Sequence, residues 1–242
     1  LAVMLSQKEI EELNNHFENR EPLEVLRWGV QKFYPRIALA CSLQAEDIVI
    51  LDMMNQVVDK PIIFVIDTGR LNQETYNLID ELRTKYPKTE IRIYFPDKEE
   101  VEDMVNRYGV NLFYKSVEFR KLCCEIRKVK PLQRALKGLD AWITGLRREQ
   151  NVTRTKIKKI EVDQVNGGII KINPLADWTW EQVWDYIKRN NLPYNKLYDM
   201  GYKSIGCEPC TRAVKSWEHP RAGRWWWEQS GDKECGLHFR ER

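Results

Sequence analysis

Two cysteine pairs and one isolated cysteine hold most of the chemistry open to this sequence. "LCCEIRK" supplies Cys123 and Cys124, and "GCEPC" supplies Cys207 and Cys210. Two pairs on separate segments suggest one four-thiol site, with Gly206 and Pro209 shaping a turn around the second pair. A structural zinc ion is one occupant of such a site. Adjacent residues on a helix point about 100° apart, which is awkward for two sulfurs that must both reach ~2.3 Å from one ion. A [4Fe–4S] cluster offers four separate iron corners, so adjacent cysteines can each take one; this favours one such cluster per chain over zinc. The isolated cysteine, Cys235, lies in "KECGLHFRER" among Lys233, His238, Arg240 and Arg242. Nearby cations lower a thiol's pKa and the thiolate is the reactive form, so Cys235 is a candidate nucleophile on a terminal arm.

Anions have several candidate contacts. Ser42 in "CSLQAED" and Thr68 and Gly69 in "IDTGR" each follow an apolar run and precede a helical one. Backbone N–H groups at such helix starts receive phosphate. The same turns also read as ordinary helix caps, for the sequence has neither a Walker A loop nor a dinucleotide fingerprint. A third turn, "TGLRREQNVTR", brings Arg147, Arg148 and Arg154 to the same edge, and arginine forks suit phosphate or sulfate oxygens. "HPRAGRWWW" adds Arg221 and Arg224, a spacing that on a helix shares one face. Some of its three tryptophans must pin the segment to the body. Lys128, four residues beyond Cys124, sits about one helical turn away. It can offset the charge of a metal centre and face an anion, with Arg127 assisting.

These residues need a scaffold, and the apolar runs describe one. Residues 6–34 read as two helices, the first capped by Ser6 with Glu9 three residues on. "IALACS" (37–42), "IIFVIDTG" (62–69), "EIRIYF" (90–95) and "DAWITG" (140–145) read as strands, the second being continuously apolar like a strand covered on both faces. Helical patterns separate them, including "FRKLCCEIRKVKPLQRAL" despite Pro131. Alternating strands and helices imply an α/β fold, a parallel twisted sheet with helices on both faces. Beyond residue 150 come a hairpin around Asn166-Gly167-Gly168, an amphipathic helix with Trp180, Val183, Trp184 and Ile187 on one face, and an irregular C-terminal segment. One structural domain is expected, with a body over 1–206 and a cysteine-bearing arm over 207–242.

Composition narrows the classes. In 242 residues, 43% are hydrophobic and 31% charged, which suits a globular chain with a real core. A net charge of +3 is too small to advertise nucleic-acid binding. No apolar run approaches the ~20 residues that span a bilayer, and the N-terminus lacks a secretory pattern. A cytoplasmic location is expected, in which six cysteines are catalytic or metal-binding rather than disulfide-bonded.

Taken together and in order, "SLQAED", "IDTGR", "CCEIRKVKPL", "AWITGLRREQNVTR", "GCEPCTR", "RAGRWWW" and "ECGLH" resemble the assimilatory adenylyl-sulfate reductases, relatives of the phosphoadenylyl-sulfate reductases, over about residues 37–238. The resemblance implies an adenine-nucleotide α-hydrolase-like fold that binds adenosine 5′-phosphosulfate. It implies a [4Fe–4S] cluster on Cys123, Cys124, Cys207 and Cys210, a mark of preference for the substrate without a 3′-phosphate. By matching motifs, Ser42, Ile66, Thr68, Gly69 and Gly145 would line the nucleotide pocket. Lys128, Arg154, Arg221 and Arg224 would meet the phosphosulfate. Cys235 would be the nucleophile, with His238 beside it in the signature. Thioredoxin or glutaredoxin would be the partner, since the arm carries no cysteine besides Cys235 and the expected cluster ligands Cys207 and Cys210, and no fused redox domain is expected. The resemblance further implies a homo-oligomer, dimer or tetramer, although no interface signature is visible, and neither nucleic acid nor membrane as partner. One departure stands out: many members carry S-F-S-G-A-E-D where this chain has C-S-L-Q-A-E-D, so a glycine is missing beside Ser42. The competing readings are a 3′-phosphoadenylyl-sulfate reductase, a zinc-stabilised nucleic-acid-binding module, and a PP-loop ATPase-type enzyme. The last lacks its S-G-G-x-D-S here.

Overall fold

The computed structural model describes residues 5–228 and His238. Helix α1 (Gln7–Phe17) starts at Ser6, whose hydroxyl accepts the Glu9 N–H at 3.1 Å. Helix α2 (Pro22–Phe33) begins with proline, where the missing N–H costs nothing. A six-stranded sheet follows, built from β1 (Ile37–Ala40), β2 (Ile62–Ile66), β3 (Glu90–Tyr94), β4 (Ala141–Ile143), β5 (Ile160–Asp163) and β6 (Ile169–Ile172) in the order β3-β2-β1-β4-β6-β5. All neighbours are parallel except β5, which runs antiparallel to β6 on the edge. The hairpin expected around Gly167 and Gly168 joins these two, and both glycines take φ of +80°, a region that side chains resist.

Alternation of side chains explains why the central strands read as unbroken apolar runs. Ile37, Leu39, Ile63, Val65, Ile143 and Ile172 bury one face under α3 (Ala45–Val57), α4 (Gln73–Lys85) and α8 (Trp180–Arg189). Ala38, Phe64 and Trp142 bury the other under Leu132, Ala135 and Leu136 of α7 (Lys130–Leu136). Both faces are dry, as a parallel sheet requires. Of the four residues expected on one face of α8, Val183 and Ile187 are buried, while Trp180 and Trp184 form an aromatic group with Tyr198 at its margin.

Three strands stop short of their sequence limits for a common reason. Side chains take over the backbone N–H groups that a longer ladder would use. Asp47 accepts the Ser42 N–H at 2.7 Å, Asp67 the Gly69 N–H at 2.8 Å, and Thr144 the Leu146 N–H at 3.3 Å. The strands therefore open into loops at one edge.

Between α5 (Lys98–Tyr108) and β4, a helical run carries Cys123 and Cys124 at the end of α6 (Val117–Cys124). It widens into a π-helical turn, Glu125–Val129, closed by the Lys130 N–H on the Glu125 carbonyl, and then continues as α7. Pro131 has no N–H to give an α-helix, and the wider turn absorbs it. The sequence expectation of one α-helical turn from Cys124 to Lys128 is thus corrected to a π turn, a feature common at functional sites. Beyond α8 the chain is irregular, as expected. Arg221 and Arg224, three apart, do not share a helix face: Arg221 lies in a turn and Arg224 pairs with Thr211 in an isolated bridge. No helix among the described residues is long and apolar enough to cross a membrane.

Candidate active site

The strand order reverses between β1 and β4: the chain runs outward through β2 and β3, then returns to lay β4 on the other side of β1. Open α/β sheets bind ligands at the carboxyl edge of such a switch point. A cavity of about 460 Å³ opens there. Its walls gather Ser42 after β1, Ile66 at the end of β2 and Thr68 beyond it, Gly145 after β4, Lys128 from the π turn, Arg154, Arg221 and Arg224 from loops, and His238. Of the residues expected in the pocket, Gly69 is not on its lining; with φ of +78° it shapes the turn that presents Thr68.

Two acids at the start of α3 form the floor. Glu46 is buried and accepts from Arg147, at 3.0 Å from Nε and 2.9 Å from Nη2. Arg147 was expected to meet an anion; the structure engages it with Glu46 instead. Arg148 likewise spends its Nε on the Ile157 carbonyl, at 2.7 Å. Arg154 remains on the cavity wall, donating to Gln150 Oε1 at 2.6 Å. Asp47 accepts both the N–H and the hydroxyl of Ser42, at 2.7 and 2.6 Å. A Cβ at Gly145 would run into Asp47 Oδ1 and lie 2.9 Å from Glu46 Cβ, so only glycine lets β4 pass this close to α3. The pairing of two acids with an otherwise apolar helix, "AEDIVIL", was the sequence signal for this floor; it reads at first as dipole compensation in a first turn.

The loop over β1 is held under strain. Leu43 is fully buried at φ of +61°, costing of order 1–3 kcal/mol for a non-glycine residue. Tyr198 Oη on the Ala45 N–H, at 2.8 Å, and Asn195 Nδ2 near the Leu43 carbonyl, at 3.5 Å, keep it in place.

Arg224 reaches the cavity from the C-terminal turns. It is buried, its Nη1 donates to Ser204 Oγ at 3.0 Å and to the Ile205 carbonyl at 3.4 Å, and its Nε has no partner among the described residues. Gly206 leaves room for it, since a Cβ there would stand 2.8 Å from Arg224 Nη2. The next residue, Trp225, is fully buried, with the guanidinium groups of Arg224 and Arg120 at 5.0 and 4.4 Å from its ring centre. Arg120 is bidentate to Glu228 at 2.8 Å, a buried pair that ties this segment to α6. Of the three tryptophans, Trp225 is thus the pin, while Trp227 packs on Phe113 and Tyr114.

A second, small cavity adjoins the first. Cys123, Cys124, Cys207 and Cys210 all line it, with Arg120, Arg127, Lys128, Phe113 and Trp225. Cys207 and Lys128 line both cavities and form the wall between them. Thr68 Oγ1 lies 3.1 Å from Cys207 Sγ, and Arg127 donates to the Thr68 carbonyl at 2.6 Å. No three His, Cys, Asp or Glu among the described residues are arranged to hold a single metal ion. Burial pushes the Cys210 thiol up to about 12, and burial likewise raises Cys123 against the opposing charge of Arg127. Four thiols without a carboxylate or imidazole, walled by cations and aromatic rings, suit zinc or an iron–sulfur cluster rather than a hard ion such as calcium or magnesium.

His238 stacks on Trp142, with ring centres 5.8 Å apart and planes within 7°, and its Nδ1 lies 3.2 Å from Lys171 Nζ. Cys235 lies outside the described residues.

Asp47 supplies a pH test. Burial raises its carboxyl to about 7 from an ordinary 3.8, against the opposing hydrogen bonds of Ser42. The folded state therefore holds a proton that the unfolded state has released. This contribution to stability is full below the ordinary value and is lost as pH rises through about 7. Asp47→Asn keeps an acceptor for Ser42 and cannot ionise. Its melting temperature should fall less than the unsubstituted protein's between about pH 5 and about pH 8, read by thermal unfolding; an equal fall would show that Asp47 does not titrate there.

Comparison with known proteins agrees with this geometry. Residues 36–213 match the profile of the phosphoadenosine phosphosulfate reductase domain. The adenosine 5′-phosphosulfate reductase of Burkholderia cepacia is 47% identical over 90% of this chain and 87% of its own. That of Allochromatium vinosum is 50% identical over 85% and 79%. Among solved structures, the phosphoadenylyl-sulfate reductase of Candida auris, a phosphate complex, superposes with a TM-score of 0.75 at 35% identity, covering 88% of this chain and all of that one. The FMN adenylyltransferase of Candida glabrata, at 14% identity and a TM-score of 0.56 over 99% of this chain and 79% of that one, shares the fold alone. The expected adenine-nucleotide α-hydrolase-like sheet is borne out, and the chain belongs to the phosphoadenosine phosphosulfate reductase domain family.

Proposed function

We propose that the protein reduces adenosine 5′-phosphosulfate to sulfite and AMP, with Cys235 as nucleophile. The observation that carries this reading is the cavity at the β1/β4 switch point, whose walls bring Lys128, Arg154, Arg221 and Arg224 together beside four convergent thiols. Relatives of this degree of identity named for that activity support it.

The chemistry follows from the residues. Phosphate and sulfate carry the substrate's charge, and a thiolate must approach them. Cations on the cavity wall offset the repulsion and stabilise the AMP that leaves. The Cys235 thiolate attacks the sulfate sulfur; a sulfur–sulfur bond forms and the bond from sulfur to the bridging oxygen breaks, leaving S-sulfocysteine. A dithiol protein such as thioredoxin or glutaredoxin then attacks Cys235 Sγ. Sulfite leaves with the electron pair, a mixed disulfide forms, and the partner's second thiol resolves it. The two electrons come from the dithiol. The same cysteine must meet a small substrate and then a protein, which suits a terminal stretch carrying Cys235 that closes and opens beyond the Arg120–Glu228 tie, at the end of the 207–242 segment laid on the 1–206 body.

The four thiols are read as ligands of one [4Fe–4S] cluster. Cys123 and Cys124 would hold it from α6, Cys207 and Cys210 from the C-terminal segment, and Lys128 and Arg127 would face its charge. When bound, such a group supplies position and charge, cross-linking the two segments beside the substrate. A cytoplasmic enzyme, working as a dimer or tetramer, completes the reading. The solved relative at 35% identity, a phosphoadenylyl-sulfate reductase, supports a second reading with the 3′-phosphorylated substrate; the four thiols favour the first.

Cys235→Ser should abolish sulfite release while nucleotide binding by calorimetry stays within about threefold of the unsubstituted protein; sustained turnover would sink the mechanism. Anaerobically purified protein should contain about four iron and four sulfide per chain and absorb broadly in the visible. Stoichiometric zinc without iron would replace the cluster by a structural ion.

A further inference from the structure

Three anchors hold the strained loop after β1, and one of them differs from the others. Tyr198 and Asn195 grip the backbone at Ala45 and Leu43 from outside the cavity. Gln44 lies on the cavity wall itself. Its Oε1 accepts the Ile205 N–H at 2.9 Å, and its Nε2 donates to Ser42 Oγ at 3.2 Å. The protons balance: the Ser42 hydroxyl gives its own proton to Asp47 and can only accept from Gln44. The other side of Ile205 is occupied as well, for its carbonyl accepts from Arg224 Nη1 at 3.4 Å, and Ser204 Oγ accepts from the same nitrogen at 3.0 Å. Two residues on, Cys207 lines the wall shared with the four-thiol cavity.

The geometry points to Gln44 as a positioning residue that fixes the spacing between Ser42 and Arg224, through a relay running Ser42, Gln44, Ile205, Arg224. Ser42 stands on the loop after β1 and Arg224 on the C-terminal turns, elements with no sheet hydrogen bond between them. The Gln44 amide spans the gap. A glycine at this place in the loop would leave it unspanned. An amide suits both ends, since it offers an acceptor to a main-chain N–H and a donor to a hydroxyl whose proton is already given. A carboxylate would keep the first bond and turn an acceptor toward the second.

Spacing between two anion-contacting groups matters when one substrate touches both. A loosened relay lets Ser42 and Arg224 drift apart, and substrate binding must then restore their separation. This weakens binding of substrate and transition state alike, which raises KM and leaves kcat nearly unchanged. The inference rests on the reductase reading for its kinetic test and on the hydrogen bonds alone for its structural one.

Gln44→Met keeps the volume and removes both bonds. KM for adenosine 5′-phosphosulfate should rise about tenfold with kcat within about twofold, and hydrogen exchange at the Ile205 amide should quicken by about tenfold, the worth of one main-chain hydrogen bond. Gln44→Glu should keep Ile205 protected yet raise KM at least as much. Unchanged KM in Gln44→Met, or a fall in kcat at constant KM, would overturn the assignment. Unchanged exchange at Ile205 would overturn it independently of turnover. Failure of the unsubstituted protein to consume the substrate would instead count against the reductase reading, and the exchange measurement would still decide the relay.

Discussion

The ion pair of Glu46 with Arg147, buried where β1 and β4 lie side by side, is the constraint on which the site depends. It joins the first residues of α3 to the loop after β4, two segments brought together only by the sheet order. Removing one partner of a buried pair typically costs about 3–5 kcal/mol, because the other charge is left stranded. The pair needs close approach of its two elements, and Gly145 provides it by carrying no Cβ against Asp47 and Glu46. Gln150 extends the same arrangement, accepting from Arg154 while donating to Glu46 and to the Gly145 carbonyl. The cavity floor is therefore rigid, and Arg154 is aimed from it.

Above that floor, the two cavities share a wall, and this sharing is the structural link between anion and thiols. Cys207 belongs to both, fixed by Thr68 on one side and followed by the turn that carries Cys210. Lys128 belongs to both because a π turn, rather than an α turn, separates it from Cys124. The C-terminal segment is locked over the small cavity by the Arg120–Glu228 pair and by buried Trp225, which two guanidinium groups contact. Whatever orders the four thiols also orders Arg224 and the turn from which the chain continues toward Cys235.

Local pattern in the sequence was enough for the scaffold. Continuous apolar runs mark β1, β2 and β4, a Ser with a Glu three residues on marks α1, and paired glycines mark the β5–β6 hairpin. Strand ends and clustered charges pointed to Ser42, Thr68, Lys128, Arg154, Arg221 and Arg224, and the family resemblance to His238; all seven line one cavity, and the four paired cysteines line another. What local pattern does not carry is partnership across the chain. Arg147 looks like any other arginine of its loop until Glu46, 101 residues away, is seen to hold it. Arg221 and Arg224 have helical spacing, but Arg221 lies in a turn and Arg224 in the bridge to Thr211. The missing glycine in the first loop reads as a defect in the motif; in the fold it is a glutamine with two bonds to make.

The most direct test is the intact mass of anaerobically purified protein after incubation, still without oxygen, with adenosine 5′-phosphosulfate and no reductant. A gain of one SO₃ unit is expected, mapped to Cys235 and removed by thioredoxin with release of sulfite. No adduct, with the nucleotide nonetheless bound, would contradict the covalent mechanism.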